Sequence, residues 1–303
     1  MNNPQLIPTR CAVCETADAA REVYPANFSL EDLNPAVFSA RRMPDRIHYR
    51  MVRCLNCGLL RSDPVANEET LARLYSKSTL DYSDEIPNLR LTYGRFLSRL
   101  LTYVSKPAAL LEIGCGNGFA LEEALLRGFS KVRGVEPSRT AVAAAPAAIG
   151  SNIVCGMMRP GLFGEGEFDA VCMFQVLDHI PEPGPLLAEC FRVLKPGGVM
   201  LCINHNSKAL SARVLGEFSP IVDIEHAYLY SSSTMRQLFL KHGFRILAGG
   251  FMLNTISMAH LIHLFPLPRG LKTWLLEGVL EKTFRRWCIR LPLGNLFQIA
   301  QRP

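Results

Sequence analysis

Three alternate glycines follow a strand-like run and an acid in Leu110-Leu-Glu-Ile-Gly-Cys-Gly-Asn-Gly118, and few folds accommodate that combination. Ala108 to Leu111 has the apolar character of a buried strand, and Leu121, Ala124 and Leu125 open a helical pattern just after the loop. Gly114, Gly116 and Gly118 let the backbone turn sharply and come close to a ligand, because no Cβ stands in the way. The spacing is Gly-x-Gly-x-Gly. The dinucleotide fingerprint needs a glycine where this chain has Phe119, and it seats a pyrophosphate on a helix N-terminus. Here Glu112 stands two residues before the first glycine and suits a cationic ligand better. A second strand-like run, Lys131 to Val135, ends at Glu136, 22 residues after Gly114. That is the approximate spacing at which a doubly wound sheet brings an acid to ribose hydroxyls. A carboxylate accepts both hydroxyl hydrogens of a ribose, so Glu136 suits a nucleoside.

Strand patterns near 109–113, 132–135, 152–155, 169–173 and 199–203 alternate with helical patterns near 118–127, 138–148 and 184–194. This predicts an α/β fold, a doubly wound Rossmann-like parallel sheet with helices on both faces. Pro146 interrupts the second helix, and Lys195-Pro-Gly-Gly198 reads as a tight turn before a buried strand. Phe244 to Gly250 reads as a sixth strand and Asn295 to Ala300 as the last, which leaves 251–294 as a long insertion. Residues 68–104 carry helical spacing, with Leu71, Leu74 and Tyr75 on one face and Leu89, Tyr93, Phe96, Leu97 and Leu100 on another. The expected organisation is a zinc ribbon over 1–63, a helical linker or cap over 64–105 and the main domain over 106–303.

The ribbon expectation comes from cysteine spacing. Cys11-Ala-Val-Cys14 and Cys54-Leu-Asn-Cys57 are two matched C-x-x-C pairs, and Gly58 follows the second. Two such knuckles complete a tetrahedral S₄ site suited to structural Zn²⁺. An inserted loop, Asn27 to Pro44, accounts for the long gap between the pairs. A redox role is the competing reading for a C-x-x-C, and two matched pairs favour metal. The N-terminal ten residues hold no apolar run of signal-peptide length, so a cytoplasmic location is the default expectation, and disulfides are not expected.

The chain resembles the class I S-adenosylmethionine-dependent methyltransferases over roughly residues 106–250. The resemblance rests on Glu112-Ile-Gly-Cys-Gly-Asn-Gly118, Gly134-Val-Glu-Pro-Ser138, Phe168-Asp-Ala-Val171, Gln175-Val-Leu-Asp-His-Ile-Pro181 and Arg192-Val-Leu-Lys-Pro-Gly-Gly198. It implies that Glu112 and the loop Gly114, Cys115, Gly116 and Gly118 hold the methionine part of S-adenosylmethionine. It implies that Glu136, followed by Pro137, holds the ribose, and that Phe174 and Gln175 line the site. Met157 and Met158 would flank the adenine; many relatives carry an Asp in that region, which this chain lacks.

Methyl transfer from a sulfonium depends on alignment, and a base is needed only for a weak nucleophile such as a hydroxyl or carbon acid. Histidines beyond strand ends are the candidates: Asp178-His179, His205 and Glu225-His226. The stretch Asp223-Ile-Glu-His-Ala-Tyr-Leu-Tyr-Ser231 resembles the Glu-His element of zinc-ribbon-bearing sugar C-methyltransferases, in which the histidine acts as a base. The subgroup's polar residue before the pair is Ile224 here, so only Glu225 and His226 are carried over. A loop-ordering role for His226, and a place in the site wall for His179, are the competing readings.

Hydrophobic residues make up 49% of the 303 residues and the formal net charge is +6, so a large core is expected and a nucleic-acid footprint is not. Ile246 to Pro268 contains no Asp, Glu, Lys or Arg, but its glycines, histidines and prolines argue against a membrane span. Residues 270–290 are amphipathic and basic, which leaves peripheral membrane contact open beside packing on the chain's own domain. The expected function is S-adenosylmethionine-dependent O- or C-methylation of a small-molecule or sugar-type acceptor. The alternatives are an RNA-modifying enzyme whose ribbon binds RNA, and a non-catalytic cofactor-binding protein.

Overall fold

A computed structural model of the chain describes residues 4–38, 46–78, 85–258, 261–262, 267–275 and 287–303. The N-terminal part holds β1 (Leu6–Ile7), β2 (Ala20–Tyr24), β3 (Met51–Cys54), β4 (Leu60–Ser62) and β5 (Val65–Ala66), then α1 (Glu68–Ser76) and α2 (Ile86–Leu100). Asn67 starts α1 by accepting a hydrogen bond from the Thr70 N–H, which satisfies one of the orphan donors of a helix start. The main domain follows with β6 (Ala109–Ile113), α3 (Phe119–Arg127), β7 (Lys131–Glu136), α4 (Arg139–Ala143), α5 (Ala147–Gly150), β8 (Ile153–Cys155), β9 (Phe168–Phe174), α6 (Pro183–Val193) and β10 (Leu194–His205). The remainder is α7 (Leu210–Leu215), β11 (Tyr228–Leu229), α8 (Ser232–Lys241), β12 (Arg245–Phe251), β13 (Asn254–Ser257), α9 (Arg269–Thr273), β14 (Cys288–Leu291) and β15 (Asn295–Gln301).

Seven strands form the central sheet in the order β12-β15-β10-β9-β6-β7-β8. The pairs among β8, β7, β6, β9 and β10 are parallel, and β15 runs antiparallel to both β10 and β12. The chain steps outward from β6 through β7 to β8, then returns to the other side of β6 for β9. That reversal opens a crevice at the carboxyl ends of β6 and β9, where doubly wound sheets bind ligands. The Rossmann-like expectation holds. Its central strands are buried on both faces, with Leu110, Leu111, Ala170, Val171, Cys172, Leu201 and Cys202 fully enclosed. Pro146 divides the second helical pattern into α4 and α5, because a proline lacks the N–H that would continue the helix. The turn expected at 195–198 lies instead within β10, as a register shift between Leu194 and Val199 with Gly197 at φ +79°.

The ribbon region is joined to the main domain by a sheet. β2, β3 and β4 continue into β11, giving the order β11-β4-β3-β2, with Tyr228 opposite Arg61 and Leu229 opposite Leu60. One apolar cluster contains Cys11, Tyr49 and Leu59 together with Leu177, Tyr228, Tyr230 and Met235. Within the 251–294 insertion, β13 and β14 pair antiparallel, and β13 lies on α2. Thr255 N–H donates to Thr92 Oγ1 at 3.0 Å, and Ser257 Oγ donates to Glu85 Oε1 at 2.6 Å. Trp274 and Trp287 are exposed, but residues 276–286, the centre of the amphipathic segment, lie outside the described residues. Among the described residues no helix is long and apolar enough to cross a membrane.

Candidate functional site

The crevice end of β6 carries the glycine loop. Gly114, Gly116 and Gly118 have φ of +73°, +54° and +78°, a region that side chains other than glycine rarely adopt. A Cβ on Gly114 would overlap Val176 Cγ2, and one on Gly118 would lie 2.6 Å from Ile149 Cγ2. The loop is therefore cradled from both sides. Glu136 ends β7 and grips it: Oε2 accepts from Gly116 N–H at 2.9 Å and Oε1 from Ser138 N–H at 2.8 Å. Glu112 is 2% exposed, and its Oε2 accepts no hydrogen bond. Burial, then the nearby Glu136 carboxylate, holds Glu112 well above the usual carboxylate range. Burial also raises Glu136, against the pull of the two N–H donors. Two buried carboxylates with an oxygen left over are what a cationic, hydroxyl-bearing ligand would satisfy. Cys115 is buried and lies in a space kept open by Gly134, where a Cβ would stand 2.5 Å from the Cys115 sulfur. Pro137 is partly buried beside Glu136. Met157 and Met158 follow β8 and are partly buried, Met158 against the main core cluster. Phe174 ends β9 and stacks on Tyr93 of α2 at 4.1 Å, with 6° between the rings.

Directly after β9 the backbone is strained. Gln175 has φ +61°, and its N–H donates to Ile203 O at 2.8 Å. The next turn presents Asp178 and His179 two and three residues beyond the Val176 that packs on Gly114. Asp178 is fully buried. His205 at the end of β10 donates from Nδ1 to Asp178 Oδ2 at 2.8 Å. His226 Nε2 lies 3.9 Å from Asp178 Oδ2, and His179 Nε2 lies 3.8 Å from Asp178 Oδ1. The His226 ring centroid is 4.8 Å from those of both His179 and His205. Burial opposes ionisation of Asp178, but the His205 hydrogen bond and the three imidazoles overcome it and hold its carboxyl below the usual range. Burial, then His205, pushes His226 well below the ordinary imidazole value, so it is neutral.

His226 is placed by its backbone. Its carbonyl accepts from Ser62 Oγ of the ribbon strand at 2.7 Å, and the next N–H, of Ala227, donates to Asp178 O at 2.8 Å. Its Nδ1–H donates to Ile221 O at 2.9 Å. Ser231, with Thr234, then caps α8 through a capping box. The expected catalytic residues His179 and His226 are thus brought together. Glu225 adjoins them: its N–H donates to Asp223 Oδ1 at 3.0 Å, and its charge raises Tyr75 after the larger effect of burial. One participant carried little signal in the sequence. Tyr75 sits on an apolar face of α1, yet its hydroxyl reaches His179 Nδ1 at 3.0 Å. His205, a candidate from its place beyond a strand end, is bound to the Asp178 carboxylate.

Cys11, Cys14, Cys54 and Cys57 converge, with their sulfurs all within 4.8 Å of one another. Cys14 N–H donates to Cys11 Sγ at 3.3 Å, and the Cys11 and Cys57 sulfurs are 3.4 Å apart. Tetrahedral zinc holds thiolates at about 2.3 Å, hence roughly 3.8 Å from each other, so the four fit that ion. Gly58 closes the second knuckle at φ +78°.

A methyltransferase domain family matches residues 87–248, more than half of the chain. The chain belongs to the methyltransferase domain family. Among curated relatives it is 34% identical over 116 residues to the ubiquinone biosynthesis O-methyltransferase of Caulobacter vibrioides, covering 35% of this chain and 45% of the relative. It is 30% identical over 115 residues to the enzyme of that name from Pseudomonas fluorescens, covering 35% and 49%. The chain thus spans about half the length of the curated relatives it matches. Among solved structures it resembles a chain of the complex between the Haloferax volcanii Trm112 methyltransferase activator and a methyltransferase. That match has a TM-score of 0.51 and 20% identity, covering 72% of this chain and 92% of the other. A SAM-dependent methyltransferase from Archaeoglobus fulgidus matches with a TM-score of 0.50 and 21% identity, covering 73% and 100%. These two likenesses concern the fold. The matched residues include the glycine loop, Glu136, the Asp178-His179 turn, His205 and His226, while the four cysteines, Ser62 and Tyr75 lie outside them.

Proposed function

We propose that the chain transfers the methyl group of S-adenosylmethionine to a small hydroxyl-bearing acceptor, sugar-like in its density of polar groups. One observation carries this reading. Four of the buried polar atoms without a hydrogen bond are Gln175 Oε1, Asp178 Oδ1 and Asn204 Nδ2, of residues at or just beyond the carboxyl ends of β9 and β10, and Tyr230 Oη just after β11. Buried polar atoms are normally paired, and the hydroxyls of an acceptor would pair them. The name O-methyltransferase borne by the curated relatives supports a hydroxyl as the methylated group.

S-adenosylmethionine, when bound, supplies an electrophilic methyl group on sulfur. In this reading Glu112 and the loop from Gly114 through Cys115 and Gly116 to Gly118 hold its methionine part. Glu136 keeps lone pairs for the ribose hydroxyls, and Pro137, Met157 and Met158 flank the adenine. Phe174 and Gln175 form the wall between cofactor and acceptor. The Nδ1–H of His226 is committed to Ile221 O, so its Nε2 offers a lone pair to the acceptor side. His226 is the candidate base, with Glu225 and His179 orienting it and the acceptor, and Asp178 balancing the charge that forms. The four cysteines hold a structural Zn²⁺ that folds the ribbon, and β4 of that ribbon fixes the His226 backbone.

The test is methyl transfer from labelled S-adenosylmethionine to a panel of sugars and phenols. His226→Ala should lower turnover by about 10²–10⁴-fold with cofactor affinity nearly unchanged by calorimetry. Turnover per folded molecule within a few-fold of wild type would remove His226 as the base.

A further inference from the structure

We propose that Asp178, His179 and His226 form a second metal site, for a divalent transition-metal ion, separate from the four cysteines. It deepens the reading above by placing the ion at the acceptor side, but the ion's binding does not depend on methyl transfer. The ligand atoms lie within 4.8 Å of one another. Ions of this class bind imidazole nitrogen at about 2.0–2.1 Å, which sets neighbouring ligand atoms roughly 3.0–3.4 Å apart. His179 Nε2 is 3.8 Å from Asp178 Oδ1 and His226 Nε2 is 3.9 Å from Asp178 Oδ2, about half an ångström beyond that range.

Each ligand is held from behind. His226 Nδ1–H donates to Ile221 O, His179 Nδ1 meets the Tyr75 hydroxyl, and Asp178 Oδ2 accepts from His205 Nδ1. Such anchoring of the non-ligating atom is how metal-binding imidazoles and carboxylates are oriented. Asp178 Oδ1 is buried and accepts no hydrogen bond. His226 Nδ1–H is committed to Ile221 O, so Nε2 is the ring nitrogen turned toward that same carboxylate group, 3.9 Å from Oδ2. Two imidazoles and one carboxylate suit zinc, iron or manganese better than the oxygen-seeking calcium or magnesium. Three protein ligands leave coordination positions for water or an acceptor hydroxyl. The ion would use the lone pair that a base would use, so the ion-bound and proton-accepting states of His226 exclude each other.

The experiment uses the full chain with zinc already in its cysteine site, titrated with Co²⁺. The expected result is one further equivalent, with visible d–d absorption and no near-ultraviolet thiolate charge-transfer band. Asp178→Asn and His179→Gln should each abolish that equivalent or weaken it more than tenfold, and Tyr75→Phe should weaken it by about 10–100-fold. His179 is partly exposed, so its variant tests the site without opening the core; circular dichroism confirms that each variant is folded. Binding of a single equivalent with thiolate character, or a second equivalent indifferent to both Asp178→Asn and His179→Gln, would overturn the proposal. Either result would leave the methyl-transfer reading to stand or fall on the His226→Ala assay, run without added metal.

Discussion

The glycine cradle is built on residues 112–138, with Ile149 and Val176 packed against its glycines. The histidine cluster is drawn from α1, the turn after β9, the end of β10 and the segment before β11. Both regions bury carboxylates, with opposite results. Glu112 and Glu136 are pushed up by burial, with no cation among the described residues offsetting it. Asp178 is just as buried but is held down, because a hydrogen-bonded His205 and two more imidazoles surround it. A buried acid thus shows whether the chain already supplies hydrogen bonds and imidazoles that favour its anion or leaves that to a ligand.

The two regions should part most sharply when the ribbon is lost. Cys54→Ser should open residues 1–63 to proteolysis, since folding and metal binding are linked in such knuckles. With β4 gone, Ser62 no longer holds the His226 carbonyl, so methyl transfer should collapse while cofactor affinity stays within a few-fold. Limited proteolysis beside calorimetry checks this; cofactor binding lost together with zinc would erase the distinction. Gly114→Ala should do the reverse and damage both regions. The left-handed φ and the overlap with Val176 together cost about 2–4 kcal/mol, and Val176 leads directly to Asp178. A thermal melt unchanged from wild type would show that the turn yields.

Glu136→Ala should act on the cradle alone. Loss of charge-assisted contacts to ribose and to the Gly116 and Ser138 N–H groups should weaken the cofactor by about 1.5–3 kcal/mol, more than tenfold. Calorimetry showing unchanged affinity would sink the ribose assignment. The smallest effect is in pH. Glu112 is raised in the folded chain, so from its ordinary 4.5 upward the free protein binds more protons than the unfolded chain and loses stability as pH rises toward the folded value. A cationic cofactor favours the carboxylate, so its affinity should climb over that window by at most about tenfold per pH unit, the limit for one proton. Glu112→Gln should flatten the profile; an equally steep profile in the variant would assign the slope elsewhere.

The same contrast explains what could be read in advance. The cradle is a backbone device, and backbone devices leave glycines and spaced acids in the sequence, as Gly114, Gly118 and Glu136 do. The sheet left its alternation of apolar runs in the same way. The cluster is a side-chain device that draws on residues from Tyr75 to His226, with 104 positions between the bonded Tyr75 and His179. Tyr75 obeys the helical spacing of a core residue, and nothing local distinguishes its hydroxyl from any other. Asp178 and His179 were legible as a pair, but the sequence does not show that His205 shares the same carboxylate. The junction of β4 with β11 was equally hidden, because two-residue pairings carry no periodicity.

That junction also bears on how the protein comes to be made. A ribosome delivers residues 20–62 long before residues 228–229, so β2, β3 and β4 wait for β11 while the whole span between them is made. Until then β4 presents an unpaired edge, the kind of edge that recruits strands from other molecules. A metal held early by the four cysteines would keep the three available strands in order through that interval, so the supply of zinc during synthesis would govern the yield of correctly assembled enzyme.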